Sequence, residues 1–136
     1  MWEEFLNWIK LKFKIQQNSL RPLFEEREIW YCVFGQNIGR EINGKNNPDY
    51  SEKLFLRPAL VLKKLNKESF IGIPLTSKQK VGSWFYEIEI RDANSYLVFS
   101  QIRSFDAKRL KYSIAKIGIS EFKNIQNKFT EFLVKK

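Results

Sequence analysis

The chain has 136 residues, of which 43% are hydrophobic and 15% aromatic, enough apolar surface for one domain with one core. A single cysteine, Cys32, excludes an internal disulfide, and the lack of histidine excludes Ser-His-Asp and Cys-His catalysis and the usual zinc sites. The formal charge is +9, unevenly spread: from Arg103 onward nine Lys/Arg stand against three acids. That excess suits either a polyanionic partner or a merely lysine-rich, solvated surface.

Trp2 to Gln16 reads as an amphipathic helix, with Trp2, Phe5, Leu6, Ile9 and Phe13 near helical spacing and Trp8 and Leu11 widening the stripe. Its expected role is docking on the domain's own core. Glu3 and Glu4 argue against a secretory leader, and no run of about 18 apolar residues suggests a membrane span. Together with the cysteine usage, this gives an expected cytoplasmic location. Glu28–Phe34 reads as a strand with two apolar faces, and Cys32 as core filling.

Gly35 to Phe55 is a long segment without periodicity, the kind of loop that is usually functional. Its G-R-E-I-N-G-K stretch runs into Asn46, not Ser or Thr, so it makes a poor phosphate loop. Leu56–Leu62 and Phe70–Thr76 then form two apolar runs around the polar stretch Lys63–Glu68, a hairpin by pattern. Arg57 opens the first strand and Thr76 closes the second. Antiparallel pairing would bring guanidinium and hydroxyl to one sheet edge.

Trp84–Ile90 alternates as a strand, Arg91–Asn94 turns, and Ser95–Ile102 reads as the next strand. Ser104–Leu110 reads as a short helical turn capped by Ser104. Tyr112–Gly118 is a last strand, and Ser120 is the expected cap of a final helix carrying Phe122, Ile125, Phe129, Phe132 and Leu133. Helix, five or six strands, helix: the class is α+β, mainly β, a small curved antiparallel barrel.

Four stretches in order carry a resemblance: E-I-W-Y-C-V-F-G-Q-N-I-G-R-E, R-P-A-L-V-L, I-P-L-T-S-K and S-Q-I-R-S-F-D-A-K-R-L. Together they resemble the MazF/PemK family of type II toxin–antitoxin toxins, over roughly Glu28 to Phe129. The resemblance implies an SH3-like barrel with added helices, here one domain over residues 1–136, with 1–26 as a helical extension and 27–136 as toxin core. It implies a homodimer, metal-independent and cofactor-free cleavage of single-stranded RNA, and inhibition by a cognate antitoxin protein. By motif, Arg57 and Thr76 match the family's catalytic arginine and threonine, and Glu41 a loop glutamate near the RNA path. Lys45, Ser77, Lys78, Lys80, Gln101 and Arg103 are the further RNA-binding candidates, with Phe34, Trp84 and Tyr86 as aromatics on which splayed bases would stack.

The bland readings stand beside these: an ion pair of Arg57 with Glu41 or Glu87, and a strand-end hydroxyl of Thr76 bonding backbone. The chain has Ser100 before Gln101 where the family often has Asp, and its loop between Lys45 and Arg57 is longer than in short members. The rival function is a non-catalytic barrel that binds an antitoxin or another protein target.

Overall fold

The computed structural model describes residues 2–49 and 52–135; Tyr50 and Ser51, inside the expected long loop, lie outside the described residues. The chain runs α1 (Trp2–Gln17), β1 (Glu28–Val33), β2 (Leu56–Lys64), β3 (Ser69–Thr76), β4 (Phe85–Ile90), β5 (Ala93–Val98), β6 (Arg103–Asp106), β7 (Leu110–Lys116) and α2 (Ile119–Val134). The strands form one curled antiparallel sheet in the order β4-β5-β3-β2-β1-β7, with β6 also paired to β3. This is the mainly-β, α+β half-barrel that the pattern predicts, with a helix at either end.

Alternation along the strands sorts side chains into two clusters. Ala59 and Val61 of β2 point with Trp30, Cys32, Phe34, Phe70 and Phe105 into one. Leu60 points with Ile29, Ile73, Leu97 and Phe99 into the other, which α2 closes with Phe122 and Ile125. Register shifts between β1 and β7 and between β2 and β3 increase the twist that curls the sheet. Cys32 is fully buried, and burial pushes its thiol pKa up, so it is inert packing.

Three local readings need correction. Ser104–Leu110 is not a helical turn from Ser104: Arg103–Asp106 is β6, paired to β3, and only Ala107–Arg109 forms a 3-10 turn. Its cap is Asp106, whose carboxylate accepts from the Lys108 N–H at 2.8 Å. The fifth strand stops at Val98, and Phe99–Gln101 is a 3-10 turn that puts Phe99 against Phe129 and Phe132 of α2. α2 begins after Gly118 with no side-chain cap, so Ser120 lies inside the helix.

The face of α1 that docks also differs from expectation. Trp8, Leu11 and Ile15 meet Val33, Phe55 and Leu56, while Trp2, Ile9 and Phe13 are exposed. Both sets have helical spacing; a fixed partner for Trp8 decides between them. Its indole lies where a Cβ on Gly35 (φ 80°) would be, and Lys108 Nζ donates to the Gln16 carbonyl at 3.0 Å.

Candidate active site

The site begins where β2 and β3 part. Their ladder runs from Lys64↔Phe70 to Ala59↔Pro74 and stops. Pro74 is the last residue of β3 in that ladder and Pro58 the next of β2, and whichever of them faces the partner strand lacks the backbone N–H to continue it. Beyond that point β3 pairs through Leu75 and Thr76 with β5, and β2 is bridged at Leu56 by Lys45 from the loop. Between these new partners opens a cavity of about 600 Å³. Extending the register by two residues sets Arg57 opposite Thr76, and both line this cavity.

Arg57 is half-buried. Its Nε donates to the Asn43 carbonyl at 2.6 Å and its Nη1 to the Leu75 carbonyl at 3.1 Å. No ion pair to Glu41 or Glu87 occurs among the described residues. Desolvation lowers its pKa, but a guanidinium stays charged. Neutral carbonyls fix its orientation and leave its charge uncompensated. Thr76 is the one buried polar side chain among the described residues, 8% exposed. Its Oγ1 accepts from the Lys78 N–H at 3.3 Å, which leaves its own O–H proton to donate elsewhere.

The loop that supplies the Asn43 carbonyl is tied down by side chains. Asn37 Nδ2 donates to the Phe34 and Ile42 carbonyls, and Asn43 Oδ1 accepts from the Asn37 N–H. Gln101 grips it from outside: its Oε1 accepts from the Ile42 N–H at 3.0 Å and its Nε2 donates to the Arg40 carbonyl at 3.0 Å.

The sequence candidates divide. Arg57, Thr76, Lys45 and Ser77 line the cavity; Glu41, Lys78, Lys80, Trp84, Gln101 and Arg103 do not. Glu41 is exposed and accepts from the Ile38 N–H, closing its own turn. Lys80 Nζ lies 5.9 Å from the Phe85 ring. Arg103 stacks 4.8 Å above Phe105, its pKa lowered by burial. Phe34 is fully buried and offers no surface to a base.

Trp84 and Tyr86 line a second cavity, about 630 Å³, between β4 and α2. Although slightly larger, it is the poorer anion site: its Lys128 and Lys135 are matched by Glu87 and Glu131. Around the Arg57 cavity, Lys45, Arg57 and Arg91 face one acid, Glu52.

Sequence reasoning missed Tyr31, Tyr112, Arg91, Asn94 and Ser95, all of which line the Arg57 cavity. Tyr31 and Tyr112 pair across β1 and β7 with ring centroids 5.0 Å apart. That pairing needs the sheet order, which alternation within one strand does not contain.

Among the described residues no group of three or more His, Cys, Asp or Glu is placed to hold a metal ion, and no helix is long and apolar enough to cross a membrane. No curated protein matches the chain. Similar solved structures include two that illustrate the likeness. One is an endoribonuclease in complex with its cognate antitoxin from a mycobacterial species (TM-score 0.57, 12% identity, 85% of this chain and 97% of that one). The other is MazF from Deinococcus radiodurans (TM-score 0.60, 18% identity, 85% and 98%). At these identities the likeness is one of fold. The model of the PemK-like, MazF-like toxins of type II toxin-antitoxin systems matches residues 25–133, the whole sheet and nearly all of α2, and the chain belongs to that family.

Proposed function

We propose that this toxin is an endoribonuclease that cuts single-stranded RNA selectively and without metal, acts as a homodimer in the cytoplasm, and is silenced by a cognate antitoxin protein. The observation that carries the reading is the meeting of an uncompensated Arg57 guanidinium and a buried Thr76 hydroxyl in one open cavity. The ribose 2′-OH attacks the adjacent phosphorus, the bond to the 5′-oxygen breaks, and the products carry a 2′,3′-cyclic phosphate and a 5′-hydroxyl. Arg57 has N–H groups left beyond its two carbonyl bonds to hold the phosphoryl oxygens. Thr76 donates to a non-bridging oxygen. Preorganised charge of this kind is worth about two to three decades in rate.

The 2′-OH proton must go to a carboxylate or water, and the leaving 5′-oxygen must take up one, from water or from the acceptor once it is protonated. Glu52 lines the cavity and Glu41 does not, which favours Glu52 or water as acceptor. Ser100 lies on the 3-10 turn and is not among the residues lining the cavity, so it is not itself beside Arg57.

The test incubates purified protein with a varied single-stranded RNA library in EDTA, beside Arg57→Ala, Arg57→Lys and Thr76→Ala, with thermal melts to verify folding. Wild type should cut. Arg57→Ala should lose about 100-fold or more and Arg57→Lys most of that, since an ammonium lacks the planar fork. Thr76→Ala should lose at least about tenfold. A folded wild type that cuts nothing, or an Arg57→Ala that cuts at the wild-type rate, overturns the reading in favour of a non-catalytic binder.

A further inference from the structure

We infer that Tyr31 and Tyr112 form a stacking platform for one unpaired nucleobase of the bound strand, beside the phosphate held at Arg57; this rests on the RNA-cleaving reading above. The two rings, tilted at 44° to each other, are neighbours across β1 and β7. Tyr112 is 52% exposed, an aromatic surface left open to the cavity instead of folded into the core. Pro58 lies opposite Tyr31 on β2 and lines the same cavity, so the platform adjoins the residue next to Arg57.

Asn46, Asn47, Asn94 and Ser95 line the cavity too, offering amide and hydroxyl groups suited to base edges. At about 600 Å³ the space is in the range of small-ligand sites. Tyrosine serves such a wet, half-apolar place better than phenylalanine, because its hydroxyl tolerates solvent. A base in a duplex is stacked on its neighbours and cannot reach the pair, whereas a single strand can splay one out. The platform therefore selects for single-strandedness, and by stacking alone it is tolerant of base identity.

The test measures fluorescence anisotropy of a labelled, random-sequence 2′-O-methyl RNA 12-mer, which binds without being cut, with unmodified RNA assayed for cleavage in parallel. Tyr112→Ala should weaken binding about tenfold or more, while Tyr112→Phe and Tyr112→Trp stay near wild type. Tyr31→Ala should act in the same direction, and a matched duplex should bind weakly to all of them. Binding by Tyr112→Ala within twofold of wild type overturns the platform. So does a loss that Tyr112→Trp shares, or one that tracks a changed sedimentation coefficient, the mark of a protein–protein surface. Wild type that binds through Tyr112 yet cuts nothing leaves the platform standing and removes the nuclease reading.

Discussion

Phe55 sits in the left-handed region (φ 51°), unusual for a bulky side chain, and its carbonyl accepts from both the Phe34 and Gly35 N–H groups. A Cβ on Gly44 would collide with that carbonyl, so this glycine is required by close approach. The two lock the base of the loop that presents Asn43 to Arg57 and Lys45 to the cavity. Gly44→Ala is expected to cost about 2 kcal/mol in chemical denaturation, and to lower RNA cleavage beyond what lost stability explains, because the Asn43 carbonyl moves. Gly39→Ala, which has open space but φ 56°, should cost about 1 kcal/mol and spare the Arg57 contact. At this scale the adjacency of Arg57 and Thr76 was readable, since an antiparallel hairpin ties one strand's start to the other's end. The separation of Glu41 from the cavity was not. It depends on the Glu41 carboxylate bonding Ile38, a local choice that spacing does not reveal.

At the scale of elements, periodicity found α1, most strands and α2, and failed where two answers share one pattern. β6 shows this: Phe105 stacks on Phe70 at 5.1 Å and on Phe34 edge-on, a tertiary demand that outweighs the helical look of the residues after Ser104. Asp106, just beyond, serves as cap and as tether. Arg21, in the segment between α1 and β1, donates to both its oxygens at 3.0 Å, while Arg21 Nη1 also pairs with Glu68. The Arg21 hydrogen bond, ahead of the Lys108 N–H, holds the Asp106 carboxyl below its usual pKa. A carboxylate whose folded pKa is depressed adds stability above its unfolded pKa, near 4, and loses it as pH falls through the lower folded value. Thermal melts from pH 6 to 3 should therefore show wild type approaching Asp106→Asn as the acid limit is reached, with the gap widest at pH 6. Because both groups reach solvent, added salt should narrow that gap.

For the whole molecule, net charge suits either a polyanion or a lysine-rich, solvated surface, and it does not locate the cavity. The basic excess lies after Arg103, yet the cations of the cavity, Lys45, Arg57 and Arg91, come from the nearly balanced middle of the chain. What gathers them is topology: the loop bridge at Leu56, the β2 start, and the β4–β5 turn. If these three meet phosphates, the logarithm of RNA affinity should fall with the logarithm of salt at a slope of about −2, and Arg91→Ala should flatten it by about 0.7. Titration of the 2′-O-methyl RNA between 50 and 200 mM salt, about a fourfold range, reads this directly. A slope indifferent to Arg91 places the strand elsewhere.

The end of the β2–β3 ladder at Ala59 and Pro74 carries a kinetic consequence. Proline stiffens the backbone at that end, and the arginine at the lip of the cavity is already steadied by two carbonyls. If RNA is the ligand, the arginine that meets it is already ordered, so much of the ordering that capture demands falls on the nucleic acid, and the stiffness of the RNA should weigh in how fast encounters become productive.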